Sequence, residues 1–164
     1  MKTLIIYDSM YGNTEQIAKS IGYAISGDVK VLRIGEVNPS KLESIDLLIV
    51  GSPTQGFRPT KLVQTFIDNI AGCALKGIDV AAFATRISAS DVGMGLRLLM
   101  KIGGYAAPRI ADALKKKDGN LVVYPEGFIV KGREGPLKEG ELERAANWAK
   151  AMVKRISNST TKPR

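Results

Sequence analysis

Apolar residues along this chain follow two patterns that take turns. Residues 4–7 are an unbroken apolar and aromatic run, and residues 45–50 and 78–84 are apolar except for Asp46 and Asp79. Such runs fit strands covered on both faces. Between them, apolar positions recur at helical spacing: Ile17, Ala18, Ile21, Ala24 and Ile25 within residues 15–25, and Leu62, Val63, Phe66, Ile67 and Ile70 within residues 60–70. Leu142, Ala145, Ala146, Ala149, Met152 and Val153 repeat the pattern within residues 139–156. Each set forms one apolar face that a sheet can cover.

The weaker signals fill the gaps. Val29, Val31, Leu32 and Ile34 mark a short second strand, and Asn38, Pro39 and Ser40 open a helical turn with Ser40 as its cap. Residues 108–117 read as a helix, with Pro108 near its first turn and Lys115, Lys116 and Lys117 at the negative end of its dipole. Residues 120–124 and 128–130 make a last strand, bent at residues 125–127. Residues 87–104 are punctuated by Gly93, Gly95, Gly103 and Gly104 around an apolar piece that reads as a short helix. Strands alternate with helices and nothing repeats. The expectation is an α/β domain with a five-stranded parallel sheet and helices on both faces.

At 164 residues, with 45% hydrophobic and 24% charged residues, the chain suits one stable domain. That domain is expected over residues 1–156, followed by a flexible basic tail over 157–164. The formal charge is +8, of which residues 150–164 contribute five basic residues and no acid, leaving +3 for the rest. This favours acidic partners without establishing specific nucleic-acid binding. No apolar run reaches the roughly 20 residues of a membrane span. The first strand begins at the N-terminus without a leader, so a cytoplasmic protein is expected, not inserted in a membrane. Cys73 is the one cysteine and reads as a buried, inert thiol in a reducing compartment. There is no histidine. Imidazole-based nucleophile systems and zinc sites are thereby excluded, no catalytic side chain or metal ligand is assigned, and a bound cofactor is left to carry any chemistry.

Residues 9–14 read Ser-Met-Tyr-Gly-Asn-Thr and join the first strand to the first helix, with Glu15 and Gln16 in its opening turn. A helix start with exposed N–H groups and hydroxyls is an anion site. This segment resembles the phosphate-binding loop of the flavodoxin family, through Ser9, Gly12, Asn13 and Thr14. Tyr11 departs from the Ser or Thr usual there and is similar to some quinone-reductase relatives. The resemblance implies a doubly wound flavodoxin-like sheet of order 2-1-3-4-5 and FMN as cofactor, its phosphate held by Ser9, Met10, Tyr11, Gly12, Asn13 and Thr14. It further implies that Pro53, Thr54, Gln55, Gly56 and Phe57 flank one side of the flavin ring. Gly56 can turn a peptide toward the flavin N5, and Phe57 offers a stacking face, or else packs on its own Pro59. Thr85, Arg86 and Ile87 would meet the other side. No aromatic lies between Arg86 and Gly104, where many flavodoxins have one. Arg86 would stabilise charge on the flavin, or else pairs with Asp91 or water.

Other ligand sites fit poorly. Residues 93–98 lack the third glycine of a dinucleotide fingerprint, no Gly-Lys-Ser/Thr loop exists, and Gly51 and Ser52 stand where a receiver domain needs its phosphoacceptor Asp. Trp148 reads as packing, and Lys131, Lys138 and Lys150 as solvated charge. The resemblance therefore implies an electron carrier working with a redox partner protein or a small-molecule acceptor. Two alternatives stand beside it: an FMN-dependent NAD(P)H:quinone or acceptor oxidoreductase, favoured by an open ring, and a flavin-free interaction domain. Oligomeric state is not fixed by the sequence.

Overall fold

The computed structural model describes residues 1–42 and 44–160. Four parallel strands form the body of one sheet: β1 (Lys2–Tyr7), β2 (Asp28–Arg33), β3 (Leu47–Pro53) and β4 (Asp79–Ile87). Their order is β2-β1-β3-β4, and β5 (Asn120–Leu121) and β6 (Glu126–Val130) both pair with β4 in parallel. β5 meets Asp79 and Val80, while β6 meets Phe83 through Ile87. The expected bent strand is thus one strand position broken at residues 122–125, and Glu126 and Gly127 belong to its second half. The 2-1-3-4-5 order of the flavodoxin fold is what the chain adopts.

Alternation along the strands builds two cores. Leu4, Ile6, Leu48, Val50, Val80 and Ala82 face one way, onto α2 (Lys61–Asp68) and α4 (Ala106–Lys115). Ile5, Tyr7, Leu47, Ile49, Ala81 and Phe83 face the other, onto α1 (Asn13–Ala24) and α5 (Glu141–Thr160). A period of two along each strand and an apolar stripe on each helix produce this layering. At the centre, Phe83 fills space over β3: a Cβ on Gly51 would sit 2.0 Å from its ring. Phe83, Phe128 and Trp148 meet edge to face, with centroids 6.2–6.5 Å apart. Trp148 packs there, as its place in the chain suggests.

Several local readings need correction. Leu62 and Leu142 lie on helical apolar faces in sequence but are exposed, because each sits at the edge of its stripe. Cys73 is exposed at φ 63° rather than buried. A hydrogen bond with Asp118 raises its pKa, so the thiol stays protonated. Asn38, not Ser40, caps the turn at Pro39–Lys41, accepting from Ser40 N. Helix α4 starts two residues before Pro108. Helix α5 continues to Thr160, four residues into the expected tail, with Ser157, Ser159 and Thr160 hydroxyls donating to carbonyls one turn back. The remainder of that expected tail, residues 161–164, lies outside the described residues.

Glu141 pins α5 to the sheet. Its buried carboxylate accepts from Ile129 N at 2.6 Å and from Arg144, which also pairs with Glu126 at 3.0 Å and lies over the Phe128 ring. Burial pushes the Glu141 pKa up, but the Arg144 and Ile129 hydrogen bonds outweigh it and hold the group below the ordinary glutamate range.

Candidate functional site

All strands are parallel, so the loops that follow β1, β3, β4 and β6 gather at one sheet edge, beside the place where the order reverses. Such edges hold the ligands of open α/β sheets. A cleft of about 460 Å³ opens there.

The first wall is the turn into α1. Gly12 occupies the N-cap at φ 87°, a left-handed conformation suited to glycine, and a Cβ there would meet nothing within 4 Å. The buried Ser9 hydroxyl accepts from Gly12 N at 3.1 Å and from Glu15 N at 3.4 Å. With both lone pairs engaged, its own proton is left to donate. The first-turn N–H groups of α1 have no acceptor within the helix, and its dipole favours negative charge at this end. Below the turn, Asp8 accepts from Ser9 N, and Arg33 donates to the Ser9 carbonyl. These contacts fix the loop from beneath.

Thr14 ties this wall to the next strand but one: its hydroxyl lies 2.8 Å from that of Thr85, and both are buried. Asn13 reaches elsewhere, its amide donating to the Glu134 carbonyl at 3.1 Å. A Cβ on Gly135 would come within 2.6 Å of the Asn13 side chain, so only glycine leaves room for it. The loop after β6 thus closes the corner, and Val130 at the end of β6 and Arg133 in that loop line the cleft. Neither was expected from sequence. The available signal was a Gly-rich, basic segment directly after a parallel strand, at the same edge as the other loops.

The second wall is the loop after β3. Ser52 is fully buried and accepts from Thr60 N at 2.9 Å, pinching the loop at its base. Gln55 and Arg58 exchange backbone hydrogen bonds across Gly56 and Phe57, which have φ of 52° and 66°. Two successive left-handed residues make a tight two-residue hairpin, and a Phe in that conformation is strained. Arg109 of α4 donates to the Phe57 carbonyl, and Thr54 accepts from Ala106 N, capping α4 from outside.

The third wall is Thr85, Arg86 and Ile87. Arg86 does not pair with Asp91. Its guanidinium lies 4.6 Å over the Tyr105 ring, and its Nε is buried without a hydrogen-bond partner. Gly127 gives it passage, since a Cβ there would sit 2.5 Å from Nε. Burial, partly offset by Arg86, raises the Tyr105 pKa, so the phenol stays neutral.

Twelve of the expected residues therefore line one cleft: Ser9, Met10, Tyr11, Asn13 and Thr14, then Pro53, Thr54, Gln55 and Gly56, then Thr85, Arg86 and Ile87. Gly12 shapes the turn without lining it. Phe57 turns away into a neighbouring hollow. Among the described residues no group of three or more His, Cys, Asp or Glu side chains is placed to hold a metal, and no helix is long and apolar enough to cross a membrane.

Known structures share this layout. A flavodoxin from the domain Archaea superposes with a TM-score of 0.73 at 22% identity, over 96% of this chain and 99% of that one. Oxidised Flavodoxin 1 from Bacillus cereus gives 0.72 at 21%, over 94% and 98%. Rubredoxin oxygen:oxidoreductase from Desulfovibrio gigas gives 0.74 at 17%, over 98% of this chain but 37% of that larger one. At these identities the likeness shows the fold. The family model for Flavodoxin matches residues 5–148, a span that begins in β1 and includes all three expected loops. With that match, the chain belongs to the flavodoxin family.

Proposed function

We propose that this protein binds FMN in the cleft and serves as a cytoplasmic electron carrier between a redox partner protein and another protein or small-molecule acceptor. One observation carries the reading: the turn at residues 9–14 presents a cleft-lining serine whose hydroxyl still has its proton to donate, a left-handed glycine with open space around it, and a helix N-terminus at one corner of a cleft long enough to continue between two further loops. A phosphate fits that corner chemically, because donors and dipole converge on it. Ser9, the N–H groups of the turn, and the cation of Arg133 would hold the phosphate. Residues 53–56 and 85–87 would hold the ring, with Arg86 available to negative charge on it. Thr14 and Asn13 serve mainly as ties to Thr85 and Glu134. When bound, FMN supplies one- and two-electron transfer. The protein supplies binding, orientation and electrostatics.

The test is visible absorbance after incubation with FMN and desalting, followed by an equilibrium titration. Retained oxidised-flavin bands are expected. Gly12→Asp, which places a carboxylate where the phosphate belongs while keeping a residue that tolerates positive φ, should weaken FMN by roughly a hundredfold or more. Arg133→Ala should weaken it several-fold. A folded protein that takes up no FMN at high micromolar concentration would sink the reading and leave an interaction domain. An NAD(P)H:acceptor oxidoreductase is the second reading. The open apolar hollow beside the cleft favours it, and NAD(P)H-dependent turnover of quinones separates it from a carrier.

A further inference from the structure

Helix α3 (Met94–Gly103) is apolar on more than one side. Leu96 and Met100, one turn apart, line the hollow beside the cleft. Met94, Leu98 and Leu99 line neither that hollow nor the cleft, and they are 85%, 59% and 55% exposed. At about 100° per residue these three fall within one arc of roughly 140°. Lys101 borders the arc next to Met94, and Arg97 follows Lys101 around the helix. A helix on the surface of a water-soluble domain ordinarily turns its polar side outward. Here the outward side is apolar, and the polar side is a basic strip at its border.

The charge around that arc has one sign. Residues 92–111 contain Arg97, Lys101 and Arg109 and no acid. Arg97 is steadied by the preceding turn, its Nε donating to the Ala89 carbonyl at 2.9 Å. Asp91, in that same turn, accepts from the Ser90 hydroxyl at 3.4 Å. Neither Arg97 nor Lys101 makes an ion pair among the described residues.

We propose that α3 lies flat on an anionic lipid surface, with Met94, Leu98 and Leu99 at the boundary of headgroups and acyl chains and Lys101 among the lipid phosphates. A ten-residue helix is about 15 Å long, too short to cross a bilayer but suited to its interface. Charge complementarity selects this occupant. A second copy would bring the Arg97 and Lys101 strips of two chains of charge +8 together, a like-charge contact that is unfavourable. An anionic bilayer meets those cations with phosphates and offers the three projecting side chains a deformable apolar layer beneath. The contact is independent of FMN, since none of the three lines the cleft.

Sedimentation of the full chain with vesicles tests this, using phosphatidylcholine alone and phosphatidylcholine with about 30% phosphatidylglycerol. Binding to the mixed vesicles should be about tenfold tighter or more, and added salt should weaken it. Leu98→Asp and Lys101→Glu should each weaken it about tenfold. Both residues are exposed, so both variants should fold, with circular dichroism and urea midpoint close to the wild type. Brominated acyl chains should quench the fluorescence of Leu98→Trp but not that of the wild type, whose Trp148 is packed against Phe83 and Phe128. Vesicle binding that survives Leu98→Asp would place the contact on the basic residues of α5 and overturn the assignment. Equally tight binding to soluble polyglutamate, with the same loss in Leu98→Asp, would overturn it in favour of an acidic protein. A lipid-free dimer that Leu98→Asp dissolves would overturn it in favour of a second copy.

Discussion

Two helices flank the cleft, and they are built on opposite terms. Helix α1 buries Ile17, Ala18 and Ile21 completely against the sheet and is backed by α5, where Ser20 donates to the Leu142 carbonyl. Helix α3 is almost as long, yet residues 94–101 of it include no buried side chain, and Met94, Leu98 and Leu99 are turned to solvent. Both carry an apolar stripe. The difference lies in what the stripe meets: α1 follows a central strand and lies over the sheet, while α3 stands beyond the carboxyl edge of β4, over the hairpin tip and Tyr105. The turn at residues 9–14 is rooted in the first arrangement. A wall that admits ligands of different shape can use the second, since segments with few buried contacts open most readily.

Breaking α1 should give the largest effect. Ile17→Ala is expected to cost about 2–5 kcal/mol in urea unfolding, through lost transfer energy and a cavity over the sheet. An effect under 1 kcal/mol would mean that α1 is no better anchored than α3.

One layer back, Glu141→Gln removes a buried carboxylate that holds α5, and hence the backing of α1. About 1.5–3 kcal/mol is expected, the range for hydrogen bonds to charged groups. Its pH dependence sharpens the point. The folded-state pKa is lowered, so the contribution is complete above the unfolded pKa and disappears as pH falls through the folded one. The difference between the wild type and Glu141→Gln should therefore shrink on acidification below the ordinary glutamate range. A gap that widened in acid would contradict the assignment.

At the small end, Leu98→Ala on the solvent side of α3 should change stability by less than about 0.5 kcal/mol. A larger loss would show that α3 is packed after all, by a second chain for instance, and a concentration-dependent melting temperature would report that.

Much of the sheet was legible because buried parallel strands need apolar runs whatever their neighbours are. Residues 4–7, 45–50 and 78–84 became β1, β3 and β4 with boundaries shifted by a few residues. Three of the four loops at the site were legible too, since each follows one of those runs directly. The fourth was not. Residues 131–135 look like any turn between a strand and a helix, and only the 121-residue separation between Asn13 and Glu134 brings them to the corner. Phe57 stands in the expected loop and lines the neighbouring hollow, a direction that depends on two successive positive φ values, one of them in a residue that sequence rules assign to the other half of the map. Leu62, Leu142 and α3 show the limit of periodicity: it says that a helix has an apolar face, and not how much of that face finds something to cover it.

The tie between Asn13 and the loop after β6 has a consequence in time. The corner formed by the first turn is closed by residues more than a hundred positions further along the chain. A nascent chain that has made only the first three strands holds the turn at residues 9–14 but lacks Gly135 to seat Asn13 and Arg133 to face the cleft. Long-range contacts of this kind form late in folding. On the FMN reading proposed above, the complete corner is available to a cofactor only once synthesis has passed residue 135.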